Sequence, residues 1–258
     1  MATLDTQYNN PKFSSLEQRA DAQAAHYWRV RTSTTLDRLE REARRMFQLE
    51  SELSHFARDY YDAVGEAAER LATLEQATAP TRIESDVPSA MPAVLAQRDA
   101  HGTRQVELKT RYRSLAKEIH PDRAMVVEGA GNMANNMHTL NAAYQHGDLA
   151  ALLKLEAQML IEQVMGTQGH VSMEAERALR EVERAADTYA EGYRTMLGSP
   201  LNELMLRAMS ARLAGWNWVE AVVRKVERAI EEKERAAIVE GIAQIGAWRE
   251  LATIDAAA

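Results

Sequence analysis

The stretch Leu108-Lys109-Thr110-Arg111-Tyr112-Arg113-Ser114-Leu115-Ala116-Lys117-Glu118-Ile119-His120-Pro121-Asp122 decides how this chain is read. Leu108, Tyr112, Leu115 and Ile119 step by four, three and four, which places them on one stripe of a helix. Lys109, Arg113 and Lys117 recur every four residues on the other side, with Arg111 and Arg123 alongside. Pro121 ends the run, because it lacks the amide donor a helix needs and confines His120 to extended geometry. The tripeptide His120-Pro121-Asp122 is therefore expected in a loop at a helix end.

Downstream, Met133, Met137, Leu140 and Tyr144 repeat the four, three, four spacing. The two stripes, with Ala143 beside Tyr144, can pack as an antiparallel hairpin. Each large side chain buried there contributes roughly 1.5 to 3 kcal/mol before entropy costs. The glycines of Gly129-Ala130-Gly131 lack a preceding buried strand and a following Gly-Lys-Ser or Gly-Lys-Thr, so they read as a connection and not as a phosphate cradle.

Composition sets the frame for this hairpin. The chain has 258 residues, 46% of them hydrophobic, with only 12 Gly, 6 Pro and 6% aromatics, and is rich in Ala, Glu, Arg, Leu and Met. An all-α fold follows. No cysteine is present, which excludes disulfides and thiolate metal sites and suits a reducing compartment. Neither a basic leader with an apolar core nor a membrane-length apolar run occurs, so cytoplasmic residence without a membrane partner is the expectation.

The net charge of -7 argues against nonspecific attraction to nucleic acid across the whole surface, and leaves binding by a local patch such as Lys109, Arg113 and Lys117 as a minor alternative. Positive charge is nevertheless concentrated locally. Arg104, Lys109, Arg111, Arg113, Lys117 and Arg123 face only Glu107, Glu118 and Asp122 between positions 104 and 123. The seven histidines are scattered, with no His-Glu-x-x-His, and no Gly-x-Ser-x-Gly nucleophile motif occurs. No metal, cofactor or catalytic residue is expected.

Four segments organise the chain: an N-terminal helical arm (1–79), a linker and helix start (80–104), the hairpin region (105–165) and a C-terminal helical domain (166–258). In the arm, Leu36, Leu39, Ala43, Met46, Leu53, Ala57, Tyr60, Val64, Ala67, Leu71 and Leu74 follow a three-four alternation, interrupted only where Glu50 takes a seam position with Leu49 beside it. This is coiled-coil-like, and two readings stay open: self-association through the seam to give a homo-oligomer, or an amphipathic helix packed on its own domain. The nearby aromatics Phe56, Tyr60 and Tyr61 read as core.

The prolines at 80, 88 and 92 mark the linker, and helix returns near Ala93. Asp148 and Ser199-Pro200 are helix-start signals, while Gly147 and Gly215 are stop signals. The C-terminal segment reads as a helical hairpin or small bundle with Leu201, Leu204, Met205, Ala208, Met209, Leu213, Trp216, Trp218, Val222 and Val226 in its core. A partner-binding surface is the alternative for the two tryptophans.

The run Tyr112-Arg113-Ser114-Leu115-Ala116-Lys117, the tripeptide His120-Pro121-Asp122 and the run Leu140-Asn141-Ala142-Ala143-Tyr144 together resemble the J domain of DnaJ-type co-chaperones. The resemblance covers roughly Val106 to Leu153. It implies a central J-like hairpin, flanked by the N-terminal coiled-coil-like helix and the C-terminal helices. Its partner would be a DnaK-type (70-kDa heat-shock) chaperone, and the protein would regulate an enzyme without being one.

By the same resemblance, His120, Pro121 and Asp122 would contact the chaperone where its nucleotide-binding domain meets the interdomain linker, with Lys109, Arg113 and Lys117 steering the docking. The absence of cysteine, and of any Gly/Phe-rich segment in a chain with 3 Phe, matches the divergent class defined by the J domain alone. The family's short first helix has no recognisable counterpart between Pro80 and Arg104. The flanking helices would then direct the chaperone to client proteins whose identity no motif reveals. The competing reading is a structural adaptor that keeps a degenerate J-like hairpin and assembles through its coiled coil.

Overall fold

The computed structural model describes residues 11–77, 92, 94–97, 100–119, 130–165 and 173–255. These residues form seven helices: α1 (Pro11–Ala77), α2 (Ala100–Ile119), α3 (Ala130–Gln145), α4 (Leu149–Met165), α5 (Met173–Leu197), α6 (Pro200–Leu213) and α7 (Trp218–Asp255). No strand occurs among them. The all-α expectation holds, and none of the described helices is long and apolar enough to cross a membrane.

Helix ends follow from local chemistry. Ser199 sits in extended geometry and its Oγ accepts from the Asn202 amide at 3.2 Å, with Pro200 in the first turn of α6. Asp148 caps α4 by accepting from the Ala151 amide at 3.0 Å. Helices α3 and α6 both end on a glycine in the left-handed region, Gly147 at φ 67° and Gly215 at φ 83°. In each turn the next residue's amide reaches back five positions, Asp148 to the Ala143 carbonyl and Trp216 to the Ala211 carbonyl. This is the Schellman arrangement, which a side chain at the glycine position would strain.

The helices group into two compact units. One comprises residues 1–48 and 104–194, the other residues 49–103 and 195–258. Each is therefore built from segments distant in sequence. Helix α1 supplies its first part to one unit and its second part to the other.

In the first unit α4 is the central element. Leu152 and Leu155 join Leu115, Ile119, Leu140 and Ala143 of α2 and α3 in one cluster. From its other face, Ala157 and Ile161 meet Leu36 and Leu39 of α1 and Leu179 and Val182 of α5. Ala150 and Leu153 complete that side around Ala43. A helix that is apolar on two faces is buried between neighbours, and the sequence Leu149-Ala150-Ala151-Leu152-Leu153 has that character.

Ion pairs fix the register of α1 against α4 and α5. The Lys154 ammonium lies 2.7 Å from Asp37 and 2.8 Å from Glu40, while Arg44 bridges Glu40 and the capping Asp148, each at 2.7 Å. Arg31 and Arg38 reach Glu183 and Asp187 of α5. These pairs are partly exposed, so burial of the apolar stripe carries most of the stability.

The second unit packs Leu49, Leu53, Ala57, Tyr60, Val64 and Leu71 of α1 in the interior along with residues of α6 and α7. Tyr60 stacks on Trp218 with ring centroids 6.1 Å apart, and Arg70 pairs with Glu234 of α7 at 2.5 Å. Residues 94–97 are helical; Val94 is buried and Gln97 donates to the Glu50 carbonyl and the Ser54 hydroxyl, both at 3.3 Å. The seam of α1 is thus covered by the chain's own helices, as in the packed-helix reading.

One part of the expected C-terminal core stands outside it. Leu201, Leu204, Met205, Val222 and Val226 are buried, but Met209, Leu213 and Trp216 are exposed. Residues 201, 204, 205 and 208 share one face of α6, whereas 209 and 213 turn with Leu206 onto another.

Tyr60 is 1% exposed, and its hydroxyl has no hydrogen-bond partner among the described residues. Burial pushes its pKa up to about 12. Removing an unpartnered buried hydroxyl while keeping the ring relieves a desolvation cost, whereas removing the ring opens a cavity. Tyr60→Phe is expected to hold or raise stability by up to about 1 kcal/mol in urea unfolding, and Tyr60→Ala to lower it by about 3 to 5 kcal/mol. A Tyr60→Phe loss as large as that of Tyr60→Ala would mean the hydroxyl is paired.

Candidate functional site

The basic helix α2 divides its faces between folding and solvent. On the packed face Leu115 and Ile119 are buried, and Leu108 and Tyr112 lean on the same cluster, which Leu140, Ala143 and Met137 of α3 complete. Tyr112 and Tyr144 stack with ring centroids 4.2 Å apart, and the Tyr112 hydroxyl lies 3.0 Å from Asn141 Oδ1. Seven of the eight positions read from the spacing, Leu108, Tyr112, Leu115, Ile119, Met137, Leu140 and Tyr144, lie in this region, together with Ala143. The cluster extends further than the spacing indicated, because α4 adds Leu152 and Leu155 and brings Ala151 and Met159 against them. The Met133 side chain lies outside those described.

On the other face Lys109, Arg113 and Lys117 are exposed, and none forms an ion pair with a described residue. Spaced by four, they make one cationic stripe along α2. An exposed, uncompensated stripe raises encounter rates with an acidic surface, and the effect falls with salt.

Arg111 behaves differently from its three neighbours. Its guanidinium lies 2.9 Å from Glu107 on the preceding turn and 2.5 Å from Glu156 of α4. Burial alone would lower its pKa, but the two carboxylates outweigh that and hold it above the ordinary value. Arg111 thus ties α2 to α4, a role that sequence spacing could not separate from that of Arg113 because its acceptor Glu156 is remote in sequence.

Arg104, near the start of α2, is likewise engaged within the unit. It donates to the Phe47 carbonyl at 2.6 Å and lies over the Phe47 ring, 5.0 Å from its centroid. Burial lowers its pKa, which Glu107 partly offsets. His120, Pro121, Asp122 and Arg123 lie outside the described residues. Among the described residues no group of His, Asp or Glu could hold a metal ion.

Compared with family models, with curated proteins and with solved structures, the chain matches none.

The different engagement of neighbouring cations has a measurable consequence. Arg111→Gln is expected to lower stability by up to about 1 kcal/mol, since it removes a partly buried tie between helices, whereas Arg113→Gln should change it by less than about 0.5 kcal/mol. Urea unfolding of both variants measures this, and equal losses would contradict the distinction.

Proposed function

We propose that the protein is a J-domain-type co-chaperone that docks on a DnaK-type chaperone, stimulates its ATPase and directs it to particular clients. The single observation that carries this reading is the pairing of an exposed cationic stripe, Lys109, Arg113 and Lys117, with the His120-Pro121-Asp122 sequence directly after the same helix. The opposite face of that helix packs against α3 and α4.

In this account the stripe steers the encounter with an acidic surface of the chaperone. Pro121 fixes the backbone of the loop, while His120 and Asp122 donate and accept hydrogen bonds on the partner. Binding accelerates hydrolysis only by favouring the chaperone's hydrolysis-competent state over its resting one. His120 transfers no proton in this scheme. The protein acts on an enzyme and supplies no catalytic group.

The adaptor reading, with assembly through a coiled coil, finds less support, because the seam of α1 from Leu36 to Leu71 is buried within the chain. Single-turnover ATP hydrolysis by a DnaK-type chaperone tests the main reading. Wild-type protein is expected to accelerate it, His120→Gln to retain no more than about a tenth of that effect, and Arg113→Glu with Lys117→Glu to require more protein for the same stimulation. Equal stimulation by wild type and His120→Gln, or none by either, would overturn the proposal.

A further inference from the structure

Helix α6 carries two apolar stripes, and only one of them is used. Leu201, Leu204 and Met205 are buried, while Leu206, Met209 and Leu213 are exposed at 51%, 54% and 89%. The Schellman turn at Gly215 then fixes Trp216, half-exposed at 51%, at the end of the second stripe. Asn217 caps α7 by accepting from the Glu220 amide at 3.3 Å, which holds the turn from the other side.

Beside this stripe lies an open cleft of about 720 Å³, with Phe56 and Tyr60 of α1, Met205 and Met209 of α6, and Trp216 and Trp218 in its lining. Aromatic and methionine side chains make an apolar surface that adapts to inserted groups. Trp216 also borders an adjoining recess of about 440 Å³, whose far side carries Arg224, Lys225 and Arg228. Arg212 and Asp59 both line the larger cleft.

Charge distinguishes the occupant. Arg224 is paired with Glu220 at 2.5 Å, but Arg212, Lys225 and Arg228 form no ion pair with any described residue. Arg212 at the cleft and Lys225 and Arg228 at the recess thus outnumber the one carboxylate lining the cleft, Asp59, in a chain whose net charge is -7. A segment that fills the cleft with bulky apolar side chains and faces the rim with carboxylates satisfies both. A concave site of this volume takes inserted side chains, which a flat lipid surface does not offer.

We propose that this cleft is a docking site for an acidic amphipathic peptide segment of a partner protein. Leucine or phenylalanine side chains of the segment enter between Met209 and Trp216, and its Asp or Glu residues meet Arg212, Lys225 and Arg228. Trp216 is the anchor, since exposed tryptophan beside arginine dominates binding at such surfaces. The inference stands apart from the chaperone reading and needs none of α2.

The probe is a fluorescein-labelled helical peptide of Leu, Phe and Glu, titrated with the full chain and read by anisotropy, beside a counterpart with Lys in place of Glu. The Glu peptide is expected to bind at least roughly tenfold more tightly than the Lys peptide. Trp216→Ala should weaken it by roughly tenfold, and so should Lys225→Glu with Arg228→Glu, with helical content unchanged because all three side chains are exposed. Binding of neither peptide, equal binding of both, or unchanged affinity in Trp216→Ala overturns the proposal. So does a concentration-dependent dimer that Trp216→Ala abolishes, which would assign the cleft to a second copy. Preferential binding of phosphatidylserine vesicles over the Glu peptide overturns it as well.

Discussion

Burial of one apolar stripe along α1, from Leu36 to Leu71, is the constraint on which the rest of the structure depends. Its first part is covered by α4 and α5, and Tyr60 in its second part stacks on Trp218 of α7. Leucine, valine and tyrosine side chains buried at this density outweigh the partly exposed ion pairs that accompany them. The pairs of Lys154, Arg44, Arg31 and Arg38 instead choose the register in which α4 and α5 lie against the stripe. With α4 held there, its second apolar face becomes the floor on which α2 and α3 pack.

That arrangement produces the asymmetry of α2. Leu115, Ile119 and Arg111 are committed to α3 and α4, which leaves Lys109, Arg113 and Lys117 as the exposed side. A helix whose packed face is fixed presents its charged face at a defined orientation, and this lowers the entropy lost on docking. The same logic operates on α6, where the stripe of Leu201, Leu204 and Met205 is buried and the stripe of Leu206, Met209 and Leu213 is not.

Much of this was legible in the sequence because it is local. Four, three, four spacing located the apolar faces of α2 and α3, and the caps at Asp148 and Ser199 and the stops at Gly147 and Gly215 marked helix ends with the geometry found. What was not legible concerns partners remote along the chain. Periodicity reveals that a helix has an apolar face but not what covers it, so the α1 seam read equally as a coiled coil and as an internal packing surface. The two buried faces of α4 and the engagement of Arg111 by Glu156 depend on contacts that no short window contains. Met209 and Leu213 follow Met205 at four-residue steps, a spacing that reads as the same face, yet both are exposed, as is Trp216.

The central claim is that α2 folds with one face and docks with the other. Hydrogen exchange of the full chain, with and without a DnaK-type chaperone, tests it most directly. The account predicts added protection in α2 and in the residues from His120 to Arg123, weakening as salt rises and unchanged in α6 and the turn at Trp216. Protection confined to α6 and α7, or none at any salt concentration, would contradict it.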